Sequence, residues 1–173
     1  MAESINTKKL KGILKNKKFI NILEDTHQIR LTLNNVLLPF GTEKYNDKNI
    51  INIELEKDNN THNNYISMLD SIENKVKNKE INLDINALQN LINKTFLPTM
   101  KTSKLGYLLR THLLSSTEIF ILKKNNDKLL IDSSNLNNST CNLSLLLKGM
   151  WITESNYGLY WEINSIQALS FKS

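Results

Sequence analysis

The chain has 173 residues, 40% of them hydrophobic, with 22 Lys+Arg against 17 Asp+Glu and a formal net charge of +5. That is enough apolar material for one packed core, which excludes a disordered chain, and the basic surplus permits a polyanionic partner without requiring one. A single cysteine, Cys141, excludes an internal disulfide and a multi-cysteine metal site, and His27, His62 and His112 are far apart in sequence.

No apolar run approaches the roughly 20 residues that span a bilayer, and the lysine-rich start has no apolar h-region, so the expectation is a soluble, intracellular protein with no membrane partner. Asn, Lys and Ile are abundant, and their AT-rich codons account for part of the lysine surplus. The Asn-x-Ser/Thr triplets are expected by chance in so Asn-rich a chain.

Residues 1–27 read as a basic N-terminal arm carrying Lys8, Lys9, Lys11, Lys15, Lys17 and Lys18. Leu10, Ile13 and Leu14 give it weak helical spacing, and Phe19, Ile20, Ile22 and Leu23 could dock on the body. Two readings stay open: an arm that holds phosphates, and a solvated terminus. From Gln28 the pattern turns to strands. Ile29, Leu31 and Leu33 alternate with Arg30 and Thr32, Asn34-Asn35 predicts a turn, and Val36 to Gly41 follows, with Pro39 confining that strand to an edge or ending it. Residues 42–45 lead through a polar loop into a third strand, residues 50–55. Lys44, Tyr45 and Lys48 combine charge with a ring near that loop, a pattern that suits nucleic acid and plain surface equally.

Residues 61–79 change period. Tyr65, Leu69, Ile72 and Val76 recur at three and four, predicting an amphipathic helix capped by Asn60 or Thr61. A shorter helical pattern starts after the capping residue Asp84, uses Ile85, Leu88, Leu91 and Ile92, and stops before Pro98. The helical insertion thus covers about residues 61–95 within a single domain over residues 28–173. A loop with Lys101 and Lys104 precedes a strand in which Tyr107, Leu109, Thr111 and Leu113 share one face, and Arg110 and His112 the other. Arg110 suits bidentate phosphate contact or stacking, with pairing to a nearby acid as the plainer alternative. Residues 119–131 predict a hairpin with a basic tip at Lys123-Lys124, followed by a polar loop to about residue 142.

The most informative stretch comes last. Two apolar, β-prone runs, residues 145–153 and 157–163, flank the polar turn Glu154-Ser155-Asn156 and read as a hairpin. Alternation sends Tyr157, Leu159, Trp161 and Ile163 to the core with Met150 and Ile152, and leaves Gly149, Trp151, Thr153, Gly158, Tyr160 and Glu162 outside. With the turn centred on Ser155-Asn156, Trp151 would stand opposite Tyr160. Flanked by Gly149 and Gly158, that pair offers a flat π-surface on which an unstacked base could lie, unless a neighbouring element covers both rings as an ordinary cross-strand pair.

Short strands with short turns and one helical insertion predict a mainly β fold, an antiparallel OB-fold-like barrel with a helical insertion after the third strand. Residues 38–46 (Leu-Pro-Phe-Gly-Thr-Glu-Lys-Tyr-Asn), residues 50–55 (Ile-Ile-Asn-Ile-Glu-Leu) and residues 147–161, with Lys148 beside Gly149 and the Trp, Tyr-Gly and Tyr-Trp elements, resemble conserved blocks of the phage-type single-stranded-DNA-binding proteins of large nucleocytoplasmic DNA viruses. The resemblance runs from about residue 28 to residue 169. It implies an OB-fold protein that coats and protects single-stranded DNA without sequence specificity during viral replication and recombination, at a replication site in the host cell. The partners implied are single-stranded DNA, with RNA as the alternative strand, replication proteins and a second copy of the chain. Members of the wider group carry an acidic C-terminal tail; this sequence ends Ser170-Phe-Lys-Ser173 instead, which puts tail-mediated recruitment and dimerisation in doubt.

The residues expected at a nucleic-acid site are Trp151, Tyr160, Arg110, His112, Lys101, Lys104, Lys148, Lys44 and Tyr45. The competing reading is a structural or scaffolding protein, virion-associated, whose exposed aromatics form a protein interface. No Gly-rich phosphate loop, metal-ligand spacing or nucleophile-base motif is present, so an enzyme is not expected and no cofactor or metal is required.

Overall fold

A computed structural model describes residues 5–170. The first four residues of the basic segment, and the closing Phe171-Lys172-Ser173 that bear on the question of a tail, lie outside the described residues. In chain order the strands are β1 (Leu10–Asn16), β2 (Phe19–Glu24), β3 (Ile29–Leu38), β4 (Thr42–Tyr45) and β5 (Lys48–Glu56). Helix α1 (Asn60–Lys77), strand β6 (Asn82–Leu83) and helix α2 (Ile85–Leu91) follow. The remainder is β7 (Thr95–Phe96), β8 (Met100–Thr102), β9 (Gly106–Leu122), β10 (Lys128–Leu130), β11 (Ser139–Ile152) and β12 (Asn156–Ser170).

Five strands close on themselves. β11 pairs with β3, β3 with β5, β5 with β9, β9 with β12, and β12 with β11. A closed ring removes the exposed edges that an open sheet would leave. The helices enter between β5 and β9, after the Ile50–Leu55 segment as the sequence predicts, and the result is an OB-like barrel with a helical insertion. Three pairings depart from the antiparallel expectation: within the ring β9 and β12 run parallel, because the chain passes through β10 and β11 before returning beside β9, and outside it the short strands β6 and β7 run parallel to β1 and β12. The β3–β5 seam is the weakest, with Leu37 opposite Glu54 as its one registered pair.

Period-two alternation sorts the residues. Leu109, Thr111, Leu145, Leu147, Met150, Leu159, Trp161 and Ile163 point inward and are buried. Thr111 is satisfied there by donating its hydroxyl to the Ile51 carbonyl at 2.8 Å. Trp161, fully buried, has an indole Nε1 with no acceptor among the described residues, so its contribution is the volume it fills. Helix α1 lays Tyr65, Leu69, Ile72 and Val76 against the barrel, and its N-cap is Asn59, whose side chain accepts from the His62 amide. Asp84 caps α2 through the Ala87 amide at 2.7 Å. On α2 it is Ala87 and Leu91 that are buried, while Ile85, Leu88 and Ile92 are exposed.

Two local expectations change. Asn34-Asn35 is a bulge inside one continuous strand rather than a turn: Leu33 faces Leu143 and Val36 faces Cys141, leaving two residues against Asn142. Asn35 takes the left-handed conformation this needs, and its amide donates to the Asn142 side chain at 3.0 Å. Residues 10–24 are a β-hairpin rather than a weakly helical arm. Leu10, Ile20 and Ile22 sit in the core, and β2 pairs with β11 through Asn21 opposite Gly149.

Candidate nucleic-acid interface

Trp151 and Tyr160 stand on the outer faces of β11 and β12, held there because Met150, Ile152, Leu159 and Trp161 anchor the alternate positions in the core. Their expected cross-strand pairing is not formed. Thr153 and Asn156 close the hairpin, with the Thr153 amide donating to the Asn156 carbonyl at 2.9 Å, so the turn centres on Glu154-Ser155. Trp151 therefore faces Gly158, Tyr160 faces Gly149, and Lys148 falls in the bulge between Leu147 and Gly149.

Nor are the two glycines open ground. A β-carbon on Gly158 would lie 2.6 Å from the Trp151 indole, so the missing side chain is what seats that ring. A β-carbon on Gly149 would lie 2.0 Å from the Ile20 carbonyl oxygen, so glycine is what lets β2 pair here. That approach brings Phe19 edge-on to Tyr160, with ring centres 5.8 Å apart at 82°.

On its other side Tyr160 stacks on His112, ring centres 4.2 Å apart at 19°. Burial, followed by the charges of Lys48 and Arg110, pushes the His112 pKa down to about 4, so the imidazole is neutral at physiological pH. Burial, with the nearby Glu162 carboxylate second, raises the Tyr160 phenol above its ordinary value. Arg110 places its guanidinium 4.6 Å above the Tyr45 ring, and its Nε is buried with no partner among the described residues. Among the described residues it forms no ion pair, so the acid-paired alternative is not realised there.

These groups line one continuous groove made of two adjoining depressions that share Lys48, Trp151 and Tyr160. The first depression runs to the β1–β2 turn, where Lys15, Lys17, Lys18 and Phe19 form a wall opposite Lys148. The second carries Tyr45, Lys101, Arg110 and His112, and is bounded by residues 97–99. That boundary is fixed from below. Glu73 on α1 accepts from both the amide and the hydroxyl of Thr99, and the Thr99 carbonyl accepts from the Arg110 amide at 3.1 Å.

Of the residues expected at the site, Trp151, Tyr160, Arg110, His112, Lys101, Lys148 and Tyr45 line the groove. Lys44 and Lys104 do not. Lys44 alternates with Tyr45 on β4 and so projects from the opposite face, and Lys104 lies exposed in the turn between β8 and β9. Sequence reasoning did not bring Phe19 to this place. The signal was present: Phe19 and Asn21 alternate with the buried Ile20 and Ile22, a strand pattern masked by the helical spacing read a few residues earlier.

No protein-family model matches the chain, and no curated protein sequence does. Among solved structures it is similar to the single-stranded DNA-binding protein from bacteriophage Enc34, at 13% identity and a TM-score of 0.56 over 92% of this chain and 89% of that one. The same protein in complex with single-stranded DNA aligns at 12% identity and a TM-score of 0.57, covering 96% and 98% of the two chains. Its C-terminal truncation gives 12% identity, a TM-score of 0.58, and 97% and 99% coverage. At these identities the likeness is one of fold.

Proposed function

We propose that the groove binds single-stranded nucleic acid, DNA first, and that the chain coats and protects exposed strands during replication or recombination of a viral genome. The observation that carries this is the arrangement of rings in a cationic cleft. Trp151 and Tyr160 stand half-exposed between the lysines of the β1–β2 turn and Arg110, and none of the groove's cations is ion-paired among the described residues. Stacking on such rings is worth about 1–3 kcal/mol per base and tolerates any base, while the cations neutralise phosphates. A likeness in fold to a protein solved with single-stranded DNA supports the reading.

Among the described residues no three metal-ligating side chains gather in one place.

The test is fluorescence anisotropy with single- and double-stranded oligonucleotides of equal length, across a salt series. Selective single-strand binding that falls steeply between about 50 and 200 mM salt is expected. Absence of binding at low salt would overturn it in favour of the scaffolding reading. The specific observation behind that second reading is a group of exposed leucines, Leu122, Leu129, Leu130 and Leu169, at the far end of β9, β10 and β12.

A further inference from the structure

Among the described residues seven cations line the groove, and one carboxylate does: Glu162. It sits two residues beyond Tyr160 on the same face of β12, opposite His112 on β9, in the depression that holds Trp151, Phe19 and Lys148. It is half-buried, accepts no hydrogen bond and forms no ion pair among the described residues. It lines the same depression as the Tyr160 ring, and its charge, after burial, raises that phenol. The carboxylate repels a phosphate and favours a hydrogen-bond donor, and on a DNA strand the donors are on the base edges.

Resting on the reading of the groove as a single-strand site, we propose that Glu162 biases the base that lies against it, favouring cytosine over thymine. The two pyrimidines are alike in size, but cytosine offers the N4 amino group as a donor to the carboxylate where thymine offers the O4 acceptor, and thymine's one donor, N3–H, lies between two carbonyl oxygens that the carboxylate repels. Most of the binding stays sequence-tolerant, and the bias is added at one position.

The experiment is competition binding of oligo-dC and oligo-dT of equal length, at fixed salt and pH, to the wild-type chain and to Glu162→Gln. The substitution is isosteric and breaks no intramolecular hydrogen bond. In the wild type, dC binds tighter than dT by about fivefold, the lower end of what one side chain–base pair gives. In Glu162→Gln, whose amide can both accept and donate, that ratio falls to about one. An unchanged ratio, or equal tightening of both oligonucleotides, would overturn the proposal and leave Glu162 as a repulsive charge only. Failure of the wild type to bind either strand would instead count against the groove itself as a single-strand site, and with it against the proposal.

Discussion

His112 shows how one residue can serve a surface without charging it. Packed on Tyr160 and flanked by Lys48 and Arg110, its folded pKa of about 4 lies below its ordinary 6.5. Between those values the unfolded chain holds a proton that the folded chain excludes, so this group's contribution to stability is full above about 6.5 and is lost as the pH falls toward 4. The expected outcome is a melting temperature that drops more steeply from pH 6.5 to 4.5 in the wild type than in His112→Gln; parallel profiles would contradict it. At this scale the sequence was legible wherever period two decided the matter. Trp161 in the core, and Trp151, Tyr160, Arg110 and His112 outside it, all follow from alternation. The partner of each ring did not follow, since a hydrogen-bonded closure at Thr153 and Asn156 and a bulge at Lys148 set the register, and neither has a signature in residue type alone.

The β1–β2 hairpin is the element that turns a strand face into a groove. Its turn places Lys15, Lys17 and Lys18 along one wall, and Gly149 allows the close backbone approach that keeps it there. Replacing those three lysines together by Ala is expected to lower the salt slope of single-strand binding by up to about 2, at roughly 0.7 per phosphate neutralised. A thermal melt should change little, because all three are exposed, none is ion-paired among the described residues, and the Lys15 ammonium over the Phe19 ring, at 5.9 Å, is a solvent-exposed contact. An unaltered slope would remove the hairpin from the interface. The segment misled sequence reasoning because Leu10, Ile13 and Leu14 mimic a helical stripe. In the structure Leu10 reaches the core, whereas Ile13 is exposed on the strand. Helix α1, with four buried apolar residues at helical spacing and a cap one residue from the expected pair, was readable because a single apolar stripe packs on the barrel.

At the scale of the whole molecule, ring closure through the parallel β9–β12 seam brings Arg110 and His112 beside Tyr160, though they lie about 50 residues apart in sequence. No helix among the described residues is long and apolar enough to cross a membrane. That the chain is a mainly β barrel with a helical insertion was legible from strand and helix periods; which strands neighbour one another was not, because non-local pairing depends on the closed ring rather than on any segment's own pattern. Single-strand binding in this groove turns on whether bases stack on the outer indole. Tryptophan emission should be recorded while oligo-dT is titrated into the wild type and into Trp151→Phe. Trp161 is shut in the core, so quenching is expected in the wild type and none in the variant, with the strand still bound on the remaining rings. Quenching that persists in Trp151→Phe, or a saturated wild type whose emission does not change, would contradict it.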